Sequence, residues 1–343
     1  MDVDSEQTEP RHIEELWFED GNIVVQAGFA QYKVFHGMLA RHSDVFRDML
    51  SFPQPHESEL VEGCPLVRLP DSEVEVTPFL KAMFIPTFLE PYPATTDFMT
   101  IYGCLRLSNK YQVHFLRRRA LIHFASRYRT TLTEYDALRV SGNELAPGTA
   151  SWKIPYSDNE RDASWVVCSF SLARELDVLW VLPRIFYVLS SPQLRVFPNL
   201  FHGVDYEGLH CSLNFDDQCR LLEGREANFE QMPKVLGFLH SKGCDLAESS
   251  GHDSELRRTL VQEVMLNASN YPRNLLNVWA HEDWCMFTDP SEPWCQECVT
   301  KFESQHVLAR EAFWNQLPEM FGLPKWKELE AMRIAAIGNV FEV

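Results

Sequence analysis

Hydrophobic and polar positions in the first part of the chain predict a hairpin followed by short helices. Apolar residues at 23–25 and 32–35 flank a turn at Gly28, which is typical of two short strands joined tightly. Apolar residues between positions 38 and 50 then recur at helical spacing. Ser43 stands where it would cap the second of two short helices. The pattern therefore predicts a sheet that meets helices early.

The pattern continues with one more strand and three longer helices. Residues 65–69 read as a short strand and residues 75–84 as a helix. Apolar faces recur over 98–107 and again over 120–128, with a break expected near Gln112. These elements predict one α+β unit at the N-terminal side of the chain.

Beyond this unit the pattern is helical. Apolar residues run through 171–189, where Pro183 is suited to begin a new helix and Leu179 is expected to be buried. Near the end of the chain, large apolar residues recur at helical spacing, and we expect them to be core residues. They are Phe313, Trp314, Leu317, Phe321, Leu323 and Trp326.

The patterns divide the chain into four parts. We expect an acidic leader that is disordered because it carries few apolar residues, an α+β domain, a polar linker or loop, and an α-helical domain. Their expected bounds are 1–12, 13–135, 136–165 and 166–343.

Composition and charge narrow the classes of function. The chain has 343 residues, and 31 Lys and Arg against 49 Asp and Glu give it a formal net charge of −18. This charge disfavours general binding to a nucleic-acid backbone. The sequence has neither a secretory signal nor an apolar run of the roughly 20 residues that a membrane helix needs. Nine scattered cysteines fit reduced thiols, so we expect an intracellular protein of the cytoplasm or nucleus.

Two parts of the chain resemble a known family. Residues 20–24 and 32–50, followed by 105–111 and 116–120, resemble the strand and helix signatures of BTB/POZ domains. The second part resembles the all-helical extension of a large fungal BTB-containing family. That likeness is carried by residues 172–176, 219–226, 294–298, 313–318 and 321–326.

The resemblance implies a non-enzymatic protein–protein interaction module. Many BTB domains form homodimers, and many dock a cullin scaffold so that the rest of the chain acts as a ubiquitin-ligase substrate receptor for a client protein. The resemblance thus implies a homodimer, a cullin and an unidentified client as partners. It leaves open a dimeric scaffold or transcriptional regulator without ligase activity. Residues 13–26 are a candidate for a strand exchanged between two copies.

One departure from the family suggests a site. BTB domains often line a charged pocket with an aspartate near the first strand and an arginine in the helix pair. Asp20 fits the aspartate, but His42 stands where the arginine would be. The alternatives are a plain surface or capping histidine and a pH-sensitive Asp20–His42 pair, since histidine titrates near neutrality.

Candidate chemistry elsewhere is limited. The sequence contains none of the common nucleophile, phosphate-loop, zinc-protease or dinucleotide motifs, and the adjacent pair His281 and Glu282 is weak support for an active site. We therefore expect no enzyme and no cofactor. A structural zinc held by Cys285, Cys295 and Cys298 is the metal candidate, without an obvious fourth ligand. Buried cysteines without a ligand are the alternative, and a redox role for the Cys-x-x-Cys pair requires a helix start beside a sheet.

One basic cluster is present. It consists of Arg117, Arg118, Arg119, Arg127 and Arg129. We expect a solvated helix face there. The alternatives are binding of an acidic protein partner and, less favoured because the whole chain is acidic, binding of nucleic acid.

Overall fold

The computed structural model describes eight stretches of the chain: residues 9–51, 59–140, 144–145, 152, 164–190, 201–240, 275–276 and 295–341. These stretches combine an N-terminal sheet with a helical C-terminal region, as the α+β prediction required. The strands are β1 (Arg11–Trp17), β2 (Ile23–Ala27), β3 (Ala30–Val34), β4 (Leu60–Val61), β5 (Cys64–Leu69), β6 (Arg139–Val140), β7 (Glu144–Leu145), β8 (Val204–Tyr206) and β9 (Leu209–Cys211).

The helices follow the same chain order. They are α1 (His36–His42), α2 (Asp44–Ser51), α3 (Glu73–Phe84), α4 (Phe98–Lys110), α5 (His114–Ala125), α6 (Leu132–Ala137), α7 (Ser164–Glu175), α8 (Leu182–Leu189), α9 (Phe215–Val235), α10 (Gln296–Met320) and α11 (Trp326–Ile337).

Five strands form the N-terminal sheet in the order β1-β3-β2-β5-β4. Strands β2 and β3 form the predicted antiparallel hairpin, and Gly28 in its turn has φ +55°, a conformation that glycine adopts without strain. Strand β1 runs parallel to β3, and β2 runs parallel to β5. Strand β2 is therefore the central strand, with two strands on each side of it.

This topology corrects two expectations. The first strand begins at Arg11, inside the segment 1–12 that was expected to be a leader; residues 1–8 lie outside the described residues. The segment 13–26 includes most of the central strand β2. A strand exchanged between copies is therefore limited to β1, since removing β2 would divide the sheet.

The first helices form where the sequence predicts them. Ser43 caps α2, because its Oγ accepts a hydrogen bond from the Phe46 N–H at 2.9 Å. Helix α3 begins after Ser72 and α4 after Asp97, and both side chains accept backbone N–H groups of the first turn. Helices α4 and α5 are separated at residues 111–113, which confirms the predicted break.

The expected linker at 136–165 is partly structured. Its first two residues belong to α6, and α7 already begins at Ser164. Trp152 is buried among core aromatic rings, and its indole Nε1–H donates to the His123 carbonyl at 3.0 Å. The hydrophobic pattern did not predict the burial of Trp152, because a single buried tryptophan has no apolar neighbours at regular spacing.

The C-terminal region is mostly helical, with one addition. Pro183 lies in the first turn of α8, as predicted, but the small hairpin β8–β9 was not expected. Leu179 is only partly buried, whereas Leu172 is fully buried. The six large apolar residues near the chain end are all buried, which confirms their core role.

The two regions share one hydrophobic core. Phe98 of α4 lies 5.6 Å from Trp152 and 6.4 Å from Trp165, measured between ring centroids. Arg310 of α10 binds Asp136 of α6 with two contacts at 2.6 and 3.2 Å. A fragment that ends at residue 135 would expose this shared core, so the regions act as one folded unit.

The basic cluster helps to join the regions and is only in part the solvated face that was expected. Arg118 donates to the Ile337 carbonyl at 2.7 Å, and Arg119 donates to the Leu89 carbonyl at 2.9 Å. The Arg127 guanidinium lies 5.2 Å from the Trp152 ring centroid and Arg129 lies 3.9 Å from that of Phe341. Arg129 is buried, whereas Arg118 is exposed and the other three arginines are half-buried, so the cluster both faces solvent and contacts the rest of the chain.

Candidate interaction surface

An exposed apolar patch lies where α1 meets α5. Met38 and His42 stand four residues apart on α1 and so share a face. The His42 ring meets the Phe115 ring of α5 edge-on, with centroids 5.2 Å apart. Met38 is 37% exposed and Phe115 is 41% exposed. We name these three residues the α1–α5 patch.

Hydrogen bonds at both ends of α1 hold the patch in place. At the start of α1, the Asn22 side-chain oxygen accepts the His36 N–H at 2.8 Å. At its end, the Ser43 hydroxyl donates to the Tyr111 carbonyl at 2.5 Å, just before α5 begins. Phe46 stacks on Tyr111 with ring centroids 4.5 Å apart, which adds apolar contact beneath the corner. The patch is therefore preorganised by contacts that do not involve its own side chains.

The residues beside the patch give it a basic rim. Arg41 and His114 each adjoin a patch residue in sequence, and both are exposed. Arg117 follows on α5, where its Nε donates to the Asn109 side chain at 2.8 Å. An apolar centre with a polar rim is the usual anatomy of a protein–protein interface. The rim suits a partner with acidic groups, although the chain as a whole is acidic.

The proposed Asp20–His42 pair is not formed within one chain. Asp20 is exposed in the turn that follows β1. His42 is half-buried and contacts Phe115 instead. Among the described residues, no hydrogen bond or ion pair joins Asp20 to His42. The structure thus places His42 in the patch and leaves Asp20 outside it.

Charged side chains line the free edge of β1. Glu14 and Glu15 are exposed, and Glu15 forms an ion pair with Lys81 of α3. Arg11 pairs with Glu73 of α3 at 2.7 Å. Charged side chains along an edge strand oppose pairing with another strand. The α1–α5 patch is therefore the better candidate for docking.

Only part of the candidate metal and redox site lies among the described residues. Cys285 lies outside the described residues, as do His281 and Glu282. Cys295 precedes α10 and is half-buried, while Cys298 is buried in its first turn. The Cys-x-x-Cys pair thus lies at the start of a helix, which is one of the two features that a redox role requires. The part of the chain that the structure describes contains no group of three or more His, Cys, Asp or Glu side chains arranged to hold a metal ion.

Sequence reasoning found His42 but did not single out its two apolar neighbours. Met38 was assigned to the core-facing pattern of its helix, yet it faces outward. Phe115 precedes Leu116, which is fully buried, so it lies off the buried stripe of α5. A large aromatic residue adjacent to a helical core position is the signal that would have found it.

Comparisons with protein-family models, curated proteins and solved structures found no match to this chain. None of the helices in the described ranges combines the length and the apolar character needed to cross a membrane.

Proposed function

We propose that this protein is a non-enzymatic interaction protein that resembles BTB adaptors. The N-terminal α+β domain would dimerise or dock a cullin scaffold, and the helical region would hold a client protein. The observation that carries the proposal is the α1–α5 patch, an exposed apolar surface on a rigid corner of the domain. The resemblance of residues 13–130 to BTB/POZ domains supports the same interpretation.

The shared core supports an adaptor of fixed geometry. Aromatic contacts and the Arg310–Asp136 ion pair join the regions directly. A client bound to the helical region would therefore stand at a constant distance and angle from a scaffold bound to the patch. Such an arrangement suits the transfer of a modifying group to the client, because rigid positioning raises its effective concentration.

The second candidate is a dimeric scaffold or transcriptional regulator without ligase activity. The same patch supports it, because a second copy of this chain can cover an apolar surface as well as a cullin can. Cullin binding separates the two candidates.

The test uses full-length protein, a cullin N-terminal domain and light scattering on the same samples. Met38→Glu places a charge in the patch, and Met332→Glu on α11 is the matched control because Met332 is 39% exposed against 37% for Met38. We expect Met38→Glu to weaken dimerisation or cullin binding by at least about tenfold, which corresponds to roughly 1.4 kcal/mol. Met332→Glu should change neither.

Three results are decisive. Cullin binding that depends on Met38 supports the adaptor. A dimer that depends on Met38 and binds no cullin supports the scaffold or regulator. A monomer that binds no cullin, or binding that both variants leave unchanged, contradicts the role of the patch.

A further inference from the structure

Helix α9 carries a regular apolar row on its exposed face. Phe215, Leu222 and Phe229 follow one another at intervals of seven residues, which is close to two helical turns. Their exposed fractions are 76%, 43% and 50%. The three side chains therefore form one row about 21 Å long, since each residue adds ~1.5 Å along a helix. We name this row the α9 ridge.

The opposite face of α9 holds the ridge in place. Leu221 and Gly224 are buried in the core of the helical region. At the start of the helix, the Asn214 side-chain oxygen accepts the Asp217 N–H at 2.8 Å. The Asp217 carboxylate in turn accepts hydrogen bonds from Arg174 of α7 at 2.5 and 3.1 Å. The ridge therefore stands on a helix that is anchored by other residues than its own.

An acidic row runs beside the ridge. Asp216, Glu223 and Glu230 each follow a ridge residue directly in sequence, and all three are exposed. Glu226 is also exposed and lies on the ridge face itself, three residues before Phe229. None of these four carboxylates forms an ion pair with another residue that the structure describes. The exposed face of α9 thus combines regularly spaced apolar side chains with negative charge.

Spacing and charge together indicate the kind of partner. Apolar residues at intervals of seven match the repeat of a second helix that packs side by side. Carboxylates beside such a row favour cations on the partner. Arg225 does not neutralise them, because it lies on the other side of the ridge, with its guanidinium 5.9 Å from the Phe229 ring centroid. The complementary surface is a helix with an apolar face and basic flanks.

A second copy of this chain is a poorer occupant. Two α9 helices packed along their ridges would bring Glu226 of both copies into the interface, where like charges repel. Each copy would also contribute a net charge of −18. Charge therefore favours a basic partner over self-association at this face.

We propose that the α9 ridge binds a basic amphipathic helix of the client protein. Apolar residues of that helix pack on the ridge, and its lysines or arginines face the acidic row. The inference rests on the proposed function, because it gives the helical region its client-binding surface. Leu222 lies at the centre of the ridge, where interface residues usually contribute most. The α1–α5 patch lies on other helices, so the two surfaces can be altered separately.

The test measures binding of fluorescein-labelled synthetic peptides to the full-length protein by fluorescence anisotropy. The probe is a helical peptide of three heptads, with leucine at the two core positions of each heptad and lysine beside them. One control peptide has glutamate in place of every lysine. The other has the same composition in an order that leaves the leucines on no common face. We expect micromolar or tighter binding of the lysine peptide and at least about tenfold weaker binding of both controls.

Variants of the protein assign the binding to the ridge. Leu222→Glu should weaken binding of the lysine peptide by at least about tenfold. Ile334→Glu on α11 is the matched control and should leave binding unchanged, because Ile334 is 41% exposed against 43% for Leu222. The double variant Glu223→Lys and Glu230→Lys should reverse the preference, so that the glutamate peptide binds more tightly than the lysine peptide. A folding defect would weaken both peptides and would not reverse their order.

Three results would overturn the inference. They are no binding of the lysine peptide, equal binding of the scrambled peptide, and equal losses in Leu222→Glu and Ile334→Glu. A dimer that Leu222→Glu separates into monomers would also overturn it, since the ridge would then bind a second copy.

The same samples distinguish this failure from failure of the proposed function. If cullin binding or dimerisation depends on Met38 while the lysine peptide does not bind, only the client surface is wrong. If the peptide binds through Leu222 while Met38→Glu changes neither cullin binding nor dimerisation, only the role of the α1–α5 patch is wrong.

Discussion

Replacing Gly224 by alanine tests how tightly the C-terminal core is packed. Gly224 lies inside α9 and faces the fully buried ring of Phe321. A Cβ atom at this position would lie 2.1 Å from Phe321 Cε1 and 2.2 Å from Cδ1. Carbon atoms in contact stand about 3.5–4.0 Å apart, so the ring would have to retreat by more than ~1 Å. It cannot do so freely, because it stacks on Phe186 with centroids 4.9 Å apart.

Two effects of opposite sign determine how Gly224→Ala changes the free energy of unfolding. Alanine is favoured over glycine in a helix interior by about 1 kcal/mol. An inserted methyl group in a packed core costs about 1–3 kcal/mol, and the very short distance to the ring places this site at the upper end. About 3 minus about 1 leaves a net loss of roughly 2 kcal/mol in the free energy of unfolding.

Urea denaturation followed by far-UV circular dichroism measures the loss. Gly37→Ala on α1 is the control, because a Cβ at Gly37 would meet nothing within 4 Å. That variant should gain up to about 1 kcal/mol from helix propensity alone. A second substitution, Phe321→Leu, should recover part of the loss in Gly224→Ala, which a double-mutant cycle detects. If Gly224→Ala is as stable as Gly37→Ala, the Phe321 ring does not pack closely against Gly224.

Two further predictions concern the junction of the two regions, where Arg310 binds Asp136, and the centre of the helical region. Arg310→Ala removes a buried guanidinium that binds the half-exposed Asp136 and the Leu276 carbonyl, and it should lower the free energy of unfolding by about 1–3 kcal/mol. Lys325→Ala, in an exposed ion pair, should cost at most a few tenths of a kcal/mol, roughly 0–0.5. Equal losses of unfolding free energy in these two variants would show that the Arg310–Asp136 ion pair does not hold the two regions together. Leu172→Ala should cost about 2–5 kcal/mol and Leu179→Ala clearly less, because only Leu172 is fully buried. Thermal melting compares them, and a reversed order would refute the burial argument.

The sequence predicted the elements that repeat a local pattern. The β2–β3 hairpin, the cap at Ser43 and the buried residues of α10 each follow from spacing within one element. The hydrophobic pattern did not predict strand β1, although residues 13–26 were named as a candidate exchanged strand, because only Leu16 in β1 is fully buried. The hairpin β8–β9 was not predicted, because its strands have three residues each and so few residues show no recognisable alternation.

The candidate surface was only partly predictable for a different physical reason. His42 was identified from its place in a motif, but the patch depends on α1 and α5 lying side by side. Ser43 and Tyr111 create that proximity through a hydrogen bond between residues far apart in sequence. Periodicity indicates which face of a helix is buried, not which neighbour its exposed face adjoins. The proximity of Phe115 to His42 is therefore a tertiary property that the pattern does not contain.

Two arginines of the basic cluster also depend on tertiary contacts that bear on the proposed function. A run of arginines on a helix normally indicates a solvated surface, since each isolated guanidinium is well hydrated. Arg118 instead donates to the carbonyl at the end of α11, and Arg127 covers two tryptophan rings. These contacts give the exposed Arg118 and the half-buried Arg127 partners within the chain, and the Arg118 contact holds the end of α11 against α5. A scaffold bound at the patch and a client bound to the helical region would consequently be linked through packed side chains, and changes at this junction should alter the geometry of both partners together.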